Sequence, residues 1–266
     1  NPITNGPYKL SEWNHNQDAT VVPNDQYKGE RAPQNDGLKF VFYASQDAAY
    51  ADLLSGNLDV LDAVPDSAFD VYEADLGERA VNQPTAVFQS FTLGENLEHY
   101  SGEEGALRRQ AISLAIDRDE ITETIFKGTR TPAKDFTSPV LPGYSEDIEG
   151  NDVLEYDPEK AKELLKEAGY DEANPLSVRY VTLGDSPMVQ ATTSALQAML
   201  RNIGIDVQVE ERPSSDFSKV TAERDFDLFM SGFNSSDPFG VAYFGQIYAS
   251  DSELNKSGTG SPEMDK

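Results

Sequence analysis

The stretch ALRRQAISLAIDRDEI, residues 106–121, decides the fold predicted for this chain. Its apolar residues recur at the spacing of one helix face and widen that face: Leu107, Ala111, Ile112, Leu114, Ala115 and Ile116. This width predicts a deeply packed helix. Asp117 can accept hydrogen bonds from the next turn, so a second short helix is expected to end at Gly128. Capping and solvation are expected to account for the charged residues Arg108, Arg109 and Arg118.

The composition limits the possible partners and chemistry. The 266 residues are enough for two domains, and the net charge is 21 − 47 = −26. Such a surface repels nucleic acid and anionic lipid, so neither is expected as a partner. Scattered acids indicate a solvated surface, as in salt-adapted or extracellular proteins, although attraction of cations remains an alternative. The sequence has no Cys, which excludes disulfides and Cys-based zinc sites.

Two α/β regions are predicted on either side of an extended segment. In the first region, Leu38–Tyr43 (LKFVFY) is predicted as a strand, followed by a helix and a returning strand at residues 58–61. Residues 79–93 form an extended run that is expected to cross into the second region. After a Pro- and Gly-rich loop at 129–150, helices alternate with strands, which is typical of an α/β fold. Asp157 is predicted to cap the clearest helix.

Catalytic and metal-binding patterns are weak. The only histidines, His15 and His99, lie far apart in polar surroundings. Ser186 follows a strand and precedes a helix as an esterase nucleophile does, but no G-x-S-x-G motif is present, which favours a helix cap. The acidic pairs lack calcium-loop spacing. We therefore expect no catalytic residue, no metal site and no cofactor, while a Ser-dependent hydrolase stays an alternative.

The segment GFNSSDPFG, residues 232–240, is the best candidate for a binding loop. It follows a predicted buried strand, and ligands of open α/β sheets lie at strand ends. An aromatic ring, amide and hydroxyl groups and a carboxylate can together hold an amphipathic ligand. The candidate residues are Phe233, Asn234, Ser235, Ser236 and Asp237. A Gly/Pro turn with an Asx cap is the alternative.

Several stretches together resemble the extracellular solute-binding proteins of family 5, the oligopeptide-, dipeptide- and nickel-binding subunits of ABC importers. They are GPYKLSEW (6–13), LLSGNLDVLDAVP (53–65), RRQAISLAIDRDEI (108–121), TPAKDFTSPVLPGY (131–144), YDPEKAKELLKEAGY (156–170) and FDLFMSGFNSSDP (226–238). The resemblance implies a type II periplasmic-binding-protein architecture, in which two lobes close on a ligand. It places a partial first lobe at residues 1–93 and an incomplete second lobe at 94–266.

The resemblance also implies roles for individual residues. Residues 88–93 fall on the family's crossing strand, so Phe88 and Ser90 are expected to contact the ligand. Phe233 takes the place of a cleft-lining Trp. Peptide binders have an Asp three residues further on that pairs with the peptide's amino group; Ser236 stands there, and Asp237 follows one residue later.

The function that the resemblance implies is capture of a peptide or similar small solute outside the membrane and delivery to ABC permease subunits. A non-peptide ligand of the same family, such as a metal chelate, a sugar or an opine-like solute, is the main alternative. A structural or adhesion module is a further one. We expect a monomer in an extracellular or periplasmic location, anchored through a lipidated N-terminus absent from these residues.

Overall fold

The computed structural model describes residues 4–95, 97, 100–184, 186–234, 239–263 and 265. The chain divides into two compact units, Asn1–Ala80 and Val81–Lys266. This division lies earlier than the lobe boundary expected at residues 93 and 94, because the crossing strand pairs along its whole length within the second unit. The lobe boundary of the whole protein stays a prediction.

The first unit contains an antiparallel sheet and a small helical core. Its strands are β1 (Tyr8–Asn14), β2 (Asp18–Pro23) and β3 (Leu38–Val41), paired in that order. Helices α1 (Gln46–Ser55) and α2 (Tyr72–Leu76) follow, with short 3-10 helices at Asp66–Ala68 and Gly77–Arg79. The helical core buries Tyr50, Leu53, Ala68, Tyr72 and Leu76.

The returning strand predicted at residues 58–61 is wrong. The amides of Asn57 and Leu58 both donate to the carbonyl of Asp52, at 2.8 and 3.1 Å, in the turn that ends α1. Gly56 supplies the left-handed conformation of that turn, with φ 79°. Residues 58–61 adopt no strand, and Leu58 and Leu61 instead pack against the helical core.

The second unit is built on a four-stranded mixed sheet with the order β4-β7-β5-β6. The strands are β4 (Val87–Leu93), β5 (Ser177–Thr182), β6 (Asp206–Glu211) and β7 (Leu228–Asn234). The helices are α3 (Gly102–Leu114), α4 (Arg118–Glu120) with a π-helical turn at Ile121–Ile125, a 3-10 helix at Asn151–Leu154, α5 (Pro158–Glu167), α6 (Pro187–Asn202), α7 (Ser214–Glu223) and α8 (Gly240–Ile247). Strands β5, β6 and β7 are parallel, and β4 is antiparallel to β7.

The central helix is packed as deeply as its sequence predicts. Ala111, Ile112 and Leu114 are each at most 2% exposed, and α3 begins earlier than expected, at Gly102. Asp117 accepts a hydrogen bond from the amide of Glu120 at 2.9 Å, which confirms the capped corner.

One charged residue of this helix departs from the expectation of capping and solvation. Arg108 is buried, lies over the Tyr170 ring at 5.0 Å and pairs with Glu104 at 3.2 Å. Its guanidinium therefore packs against an aromatic face instead of facing water. Arg118 fulfils the expectation of capping, because its guanidinium donates to the carbonyls of Ser113, Ile116 and Leu154. Burial lowers the pKa of Arg118 to about 10.

Candidate functional site

Strands β4 and β7 bring the predicted ligand-contacting residues of two distant segments together. Their antiparallel register places Phe88 opposite Phe233, and Ser90 opposite Ser231. Thr92 lies opposite Phe229 in the same register. Because side chains alternate between the two faces of a strand, these three pairs share one face of the sheet.

This face forms one wall of a narrow cleft, which we call the strand cleft. The cleft has a volume of about 60 Å³ and lies between the two strands and the segment that follows α8. Its lining residues are Phe88, Ser90, Thr92, Phe229, Ser231, Gly232, Phe233, Ile247, Tyr248, Leu254, Lys256 and Ser257. The cleft therefore combines aromatic rings with hydroxyl groups and one cation.

Three aromatic contacts hold the strands that form this wall of the cleft. Phe229 packs edge-to-face on Phe217 and Phe226, with ring centroids 6.0 and 4.4 Å apart. On the opposite face, Phe91 packs edge-to-face on Tyr180 at 6.3 Å. The strand pair is thus held on both faces, which positions the cleft residues on rigid elements.

The outer wall of the cleft is held by a buried asparagine. Asn255 is 1% exposed, and its side-chain amide donates to the carbonyls of Tyr248, Ala249 and Thr259. Its side-chain oxygen accepts from the Ser257 hydroxyl and from the Gly258 amide, at 3.1 and 3.0 Å. The hydrogen bonds of this one side chain therefore hold residues 248–259 together.

Two main-chain contacts dock this segment against the rest of the unit. The Glu95 amide donates to the Ser257 carbonyl at 2.8 Å, and the Arg224 guanidinium donates to the Asn255 carbonyl at 2.8 Å. Burial raises the pKa of Tyr248, so its phenol stays protonated and able to donate at neutral pH.

The structure brings three of the sequence-predicted site residues together and separates a fourth from them. Phe88, Ser90 and Phe233 line the strand cleft. Asn234 lies on β7 opposite Val87, so its side chain is on the other face of the strand from Phe233. Residues 232–234 are strand and not turn, because the pairing with β4 continues to the end of β7. Ser235, Ser236 and Asp237 lie outside the described residues.

Several residues of the cleft were not predicted from the sequence. Thr92 and Ser231 could have been found, because small hydroxyl residues occupy alternate positions in FQSFT and FMSGF. Lys256 and Ser257 carried no comparable signal, since a turn around Asn255 brings them to the strands.

Residues 1–255 match the family model described as bacterial extracellular solute-binding proteins, family 5 Middle. The chain belongs to this family. The resemblance stated from the sequence motifs is therefore confirmed. The family and the relatives below consist of binding proteins, not enzymes.

Named relatives of this solute-binding family are similar to the chain in sequence and fold. A putative ABC transporter peptide-binding protein of Brucella ovis is 30% identical over 259 residues, 90% of this chain and 45% of that protein. The structure of the oligopeptide-binding protein AppA of Bacillus subtilis with a nonapeptide is 25% identical, with a TM-score of 0.76, and covers 98% of this chain and 53% of that chain. The chain spans about half the length of the curated relatives it matches.

A third relative has a different ligand. The structure of AgaA from A. tumefaciens R10 in complex with agropinic acid is 25% identical, with a TM-score of 0.75, and covers 98% of this chain and 52% of that chain. These solved structures share the mixed α/β fold, which confirms the predicted fold class of a type II periplasmic-binding-protein-like chain spanning part of its relatives.

Among the described residues, Ser186 forms a helix cap and not a catalytic pair. Its hydroxyl accepts a hydrogen bond from the Val189 amide at 3.2 Å and so caps α6, as predicted. His15 stacks on Trp13 in the first unit, with ring centroids 4.3 Å apart, and His99 lies outside the described residues. Ser186 is therefore part of a helix start in this solute-binding fold.

In the part of the chain that the structure describes, no group of three or more His, Asp or Glu side chains is arranged to hold a metal ion. No described helix combines the length and the apolar character needed to cross a membrane.

A second, more open depression of about 570 Å³ lies between the 135–148 loop and α8. Its two carboxylates accept hydrogen bonds from backbone amides. Asp135 accepts from the amides of Thr137 and Ser145, at 3.1 and 2.8 Å, and Asp265 accepts from the Ser250 amide at 2.9 Å. These hydrogen bonds hold the loop and the end of the described chain in place. The strand cleft is therefore the better candidate site.

Proposed function

We propose that the whole protein is the substrate-binding component of an ABC importer, which captures a peptide or similar small solute outside the membrane and delivers it to the permease. The match of residues 1–255 to the family model carries this proposal. The relative from Brucella ovis is described as peptide-binding, and AppA has been solved with a bound nonapeptide, which supports peptides as the ligand class.

The strand cleft supplies the contacts that such a ligand requires. Phe88 and Phe233 offer aromatic surface, and the hydroxyls of Ser90 and Ser231 offer hydrogen bonds along the same face. Rigid aromatic groups with a few placed polar groups are typical of small-ligand sites. We propose that Phe233 stacks on the ligand. Asp237 stays the proposed partner of a ligand amino group.

A non-peptide solute is the second candidate. The observation in its favour is AgaA, which has a similar fold and was solved with agropinic acid. In this chain Ser236 stands where family peptide binders place the amine-pairing Asp, so the peptide anchor depends on Asp237.

We further propose an extracellular or periplasmic location, a lipid anchor and a monomeric state for the whole protein. The family is extracellular by description, which supports the location. Binding would shift an open–closed equilibrium of the whole protein if the ligand contacts the closed state more extensively.

Native mass spectrometry of the full-length protein tests the ligand class. We expect a co-purified species whose mass corresponds to a short peptide, released on denaturation. A co-purified organic acid or sugar would instead support the non-peptide function. Full-length protein that binds no small solute, and that hydrolyses an ester unless Ser186→Ala is introduced, would contradict both.

A further inference from the structure

The charge of the strand cleft is opposite to the charge of the molecule. Acidic residues outnumber basic ones 47 to 21 in the whole chain. Among the twelve described residues that line the cleft there is no Asp or Glu, and the only charged side chain is Lys256. A cation without acidic neighbours in the cleft is a local exception on a protein that otherwise repels anions.

The charge of Lys256 is not neutralised by an ion pair. Its ammonium group donates to the carbonyl of Glu253 at 2.7 Å, and this acceptor carries no net charge. Among the described residues, no carboxylate forms a salt bridge with it. An ammonium has three donors, so hydrogen-bonding capacity remains for a ligand.

The position of Lys256 is set before any ligand binds. It lies between Asn255, whose side chain closes the 248–259 segment, and Ser257, whose carbonyl is held by the Glu95 amide. The Arg224 contact to the Asn255 carbonyl fixes the same turn from α7. Binding therefore requires little ordering of the backbone around this cation, which favours affinity.

The size of the cleft limits what it can hold. Its volume of about 60 Å³ is small beside the depression of about 570 Å³ next to α8. The strand cleft therefore suits a small polar group of a ligand better than a long peptide segment. The hydroxyls of Ser90, Thr92 and Ser231 line it and can donate hydrogen bonds to an anionic oxygen.

We propose that the strand cleft binds a carboxylate group of the transported solute, with Lys256 supplying the positive charge and the surrounding hydroxyls the hydrogen bonds. This inference rests on the proposed function, because it names the part of the ligand that this site selects. The carboxylate can come from the C-terminus of a peptide or from an acidic side chain. Because the net charge of −26 repels anions at a distance, the selection depends on short-range contact with Lys256.

The test uses the full-length protein and three defined peptide pools. The pools are Ala-Xaa-Ala with a free C-terminus and the same pool with amidated C-termini, where Xaa is any residue except Asp and Glu, and Ala-Glu-Ala amide, which carries only a side-chain carboxylate. Binding is screened by native mass spectrometry, and the tightest peptide of each pool is then measured by calorimetry. The variants are Lys256→Gln, which keeps a donor for the Glu253 carbonyl, and Lys219→Gln, an exposed lysine of α7 outside the cleft.

We expect Lys256→Gln to weaken binding of the free-acid peptide about 10- to 100-fold, as loss of a charge-assisted hydrogen bond does. Its affinity for the amide should not change, and Lys219→Gln should behave as the wild type. If the protein binds a side-chain carboxylate, Lys256→Gln should weaken binding of Ala-Glu-Ala amide to the same extent, and Lys219→Gln should not. The unchanged amide affinity also shows that the variant is folded.

The remaining outcomes overturn the inference, and they separate it from the function. If acid and amide bind equally, or Lys256→Gln keeps the preference for acid, peptide binding stands and the carboxylate assignment falls. If no pool binds, the peptide function falls and the inference falls with it.

Discussion

The two sheets of the molecule contain strands of similar apolar character but bury them to opposite extents. In the first unit, β3 (LKFV) is exposed along its whole length, and Phe40 retains 52% of its accessible surface. In the second unit, Val178, Tyr180 and Val181 of β5 are completely buried. The difference shows that an apolar, β-branched or aromatic run predicts a strand, whereas its burial depends on a second layer packed against it.

The helices account for this difference. In the second unit α3 packs against α5, and α6 packs against β6, beside the buried strand β5. In the first unit, α1 and α2 bury their side chains in a separate cluster. Trp13, Ala19 and Phe40 lie side by side on one face of the first sheet, and both aromatic residues are exposed.

The largest expected effect contrasts a leucine from each unit. Leu114→Ala, in the buried helix α3, should lower the free energy of unfolding by about 2–5 kcal/mol, because truncation leaves a cavity. Leu38→Ala, on exposed β3, should cost less than about 1 kcal/mol. Chemical denaturation of both variants measures the contrast. Equal costs would contradict the burial of Leu114 and the exposure of Leu38.

The next prediction contrasts the two faces of β7. Phe233→Ala should weaken ligand binding by the full-length protein about tenfold or more, because it removes aromatic surface from the strand cleft. Asn234→Ala changes the adjacent residue on the other face, and its effect should be small. Calorimetry with the co-purified ligand gives both values. A larger loss for Asn234→Ala would favour the binding loop expected from the sequence over the strand cleft.

A smaller effect is expected at the start of α5, one of the helices that cover the core of the second unit. The Asp157 side chain accepts from the Lys160 amide at 2.9 Å. Asp157→Ala should destabilise the unit by about 1 kcal/mol through loss of this cap. Asp157→Asn keeps the acceptor and is the control. If asparagine were as destabilising as alanine in thermal unfolding, the cap would not be the cause.

The smallest expected effect concerns the exposed first sheet. The Lys39 ammonium, which donates to the Asp18 carboxylate, lowers the pKa of Asp18, and a hydrogen bond from Asn14 adds to this shift. Because its pKa is lower in the folded state, the Asp18 carboxylate stabilises the folded protein at pH values above its unfolded pKa of about 4. This contribution to stability is lost as the pH falls through the folded-state pKa. Asp18→Asn should therefore flatten the acid side of the pH–stability profile slightly. Asp36→Asn, at another exposed position of this unit, is the matched control variant.

The sequence was most informative where a structural feature is local. The caps predicted at Asp117, Asp157 and Ser186 all form hydrogen bonds to amides three residues ahead. Such contacts depend on neighbouring residues alone, so their pattern can be recognised in the sequence. The wrong expectation at Arg108 depended on the distant Tyr170 ring, which periodicity does not identify. At residues 58–61 the turn at Gly56 is local, but the packing of Leu58 and Leu61 against the helical core depends on residues farther along the chain.

The candidate site likewise has features that the sequence predicts and features that depend on distant residues. The sequence by itself determined the family and the α/β class, because both can be recognised in short segments. The resemblance to the family then led to the choice of Phe88, Ser90 and Phe233. Only the tertiary structure decided that Phe88 and Phe233 face each other, that Asn234 points to the opposite face, and that Lys256 joins the cleft. The physical reason is that the register of β4 and β7, and the docking of the Asn255 turn on Arg224 and Glu95, are set by hydrogen bonds between residues far apart in the chain.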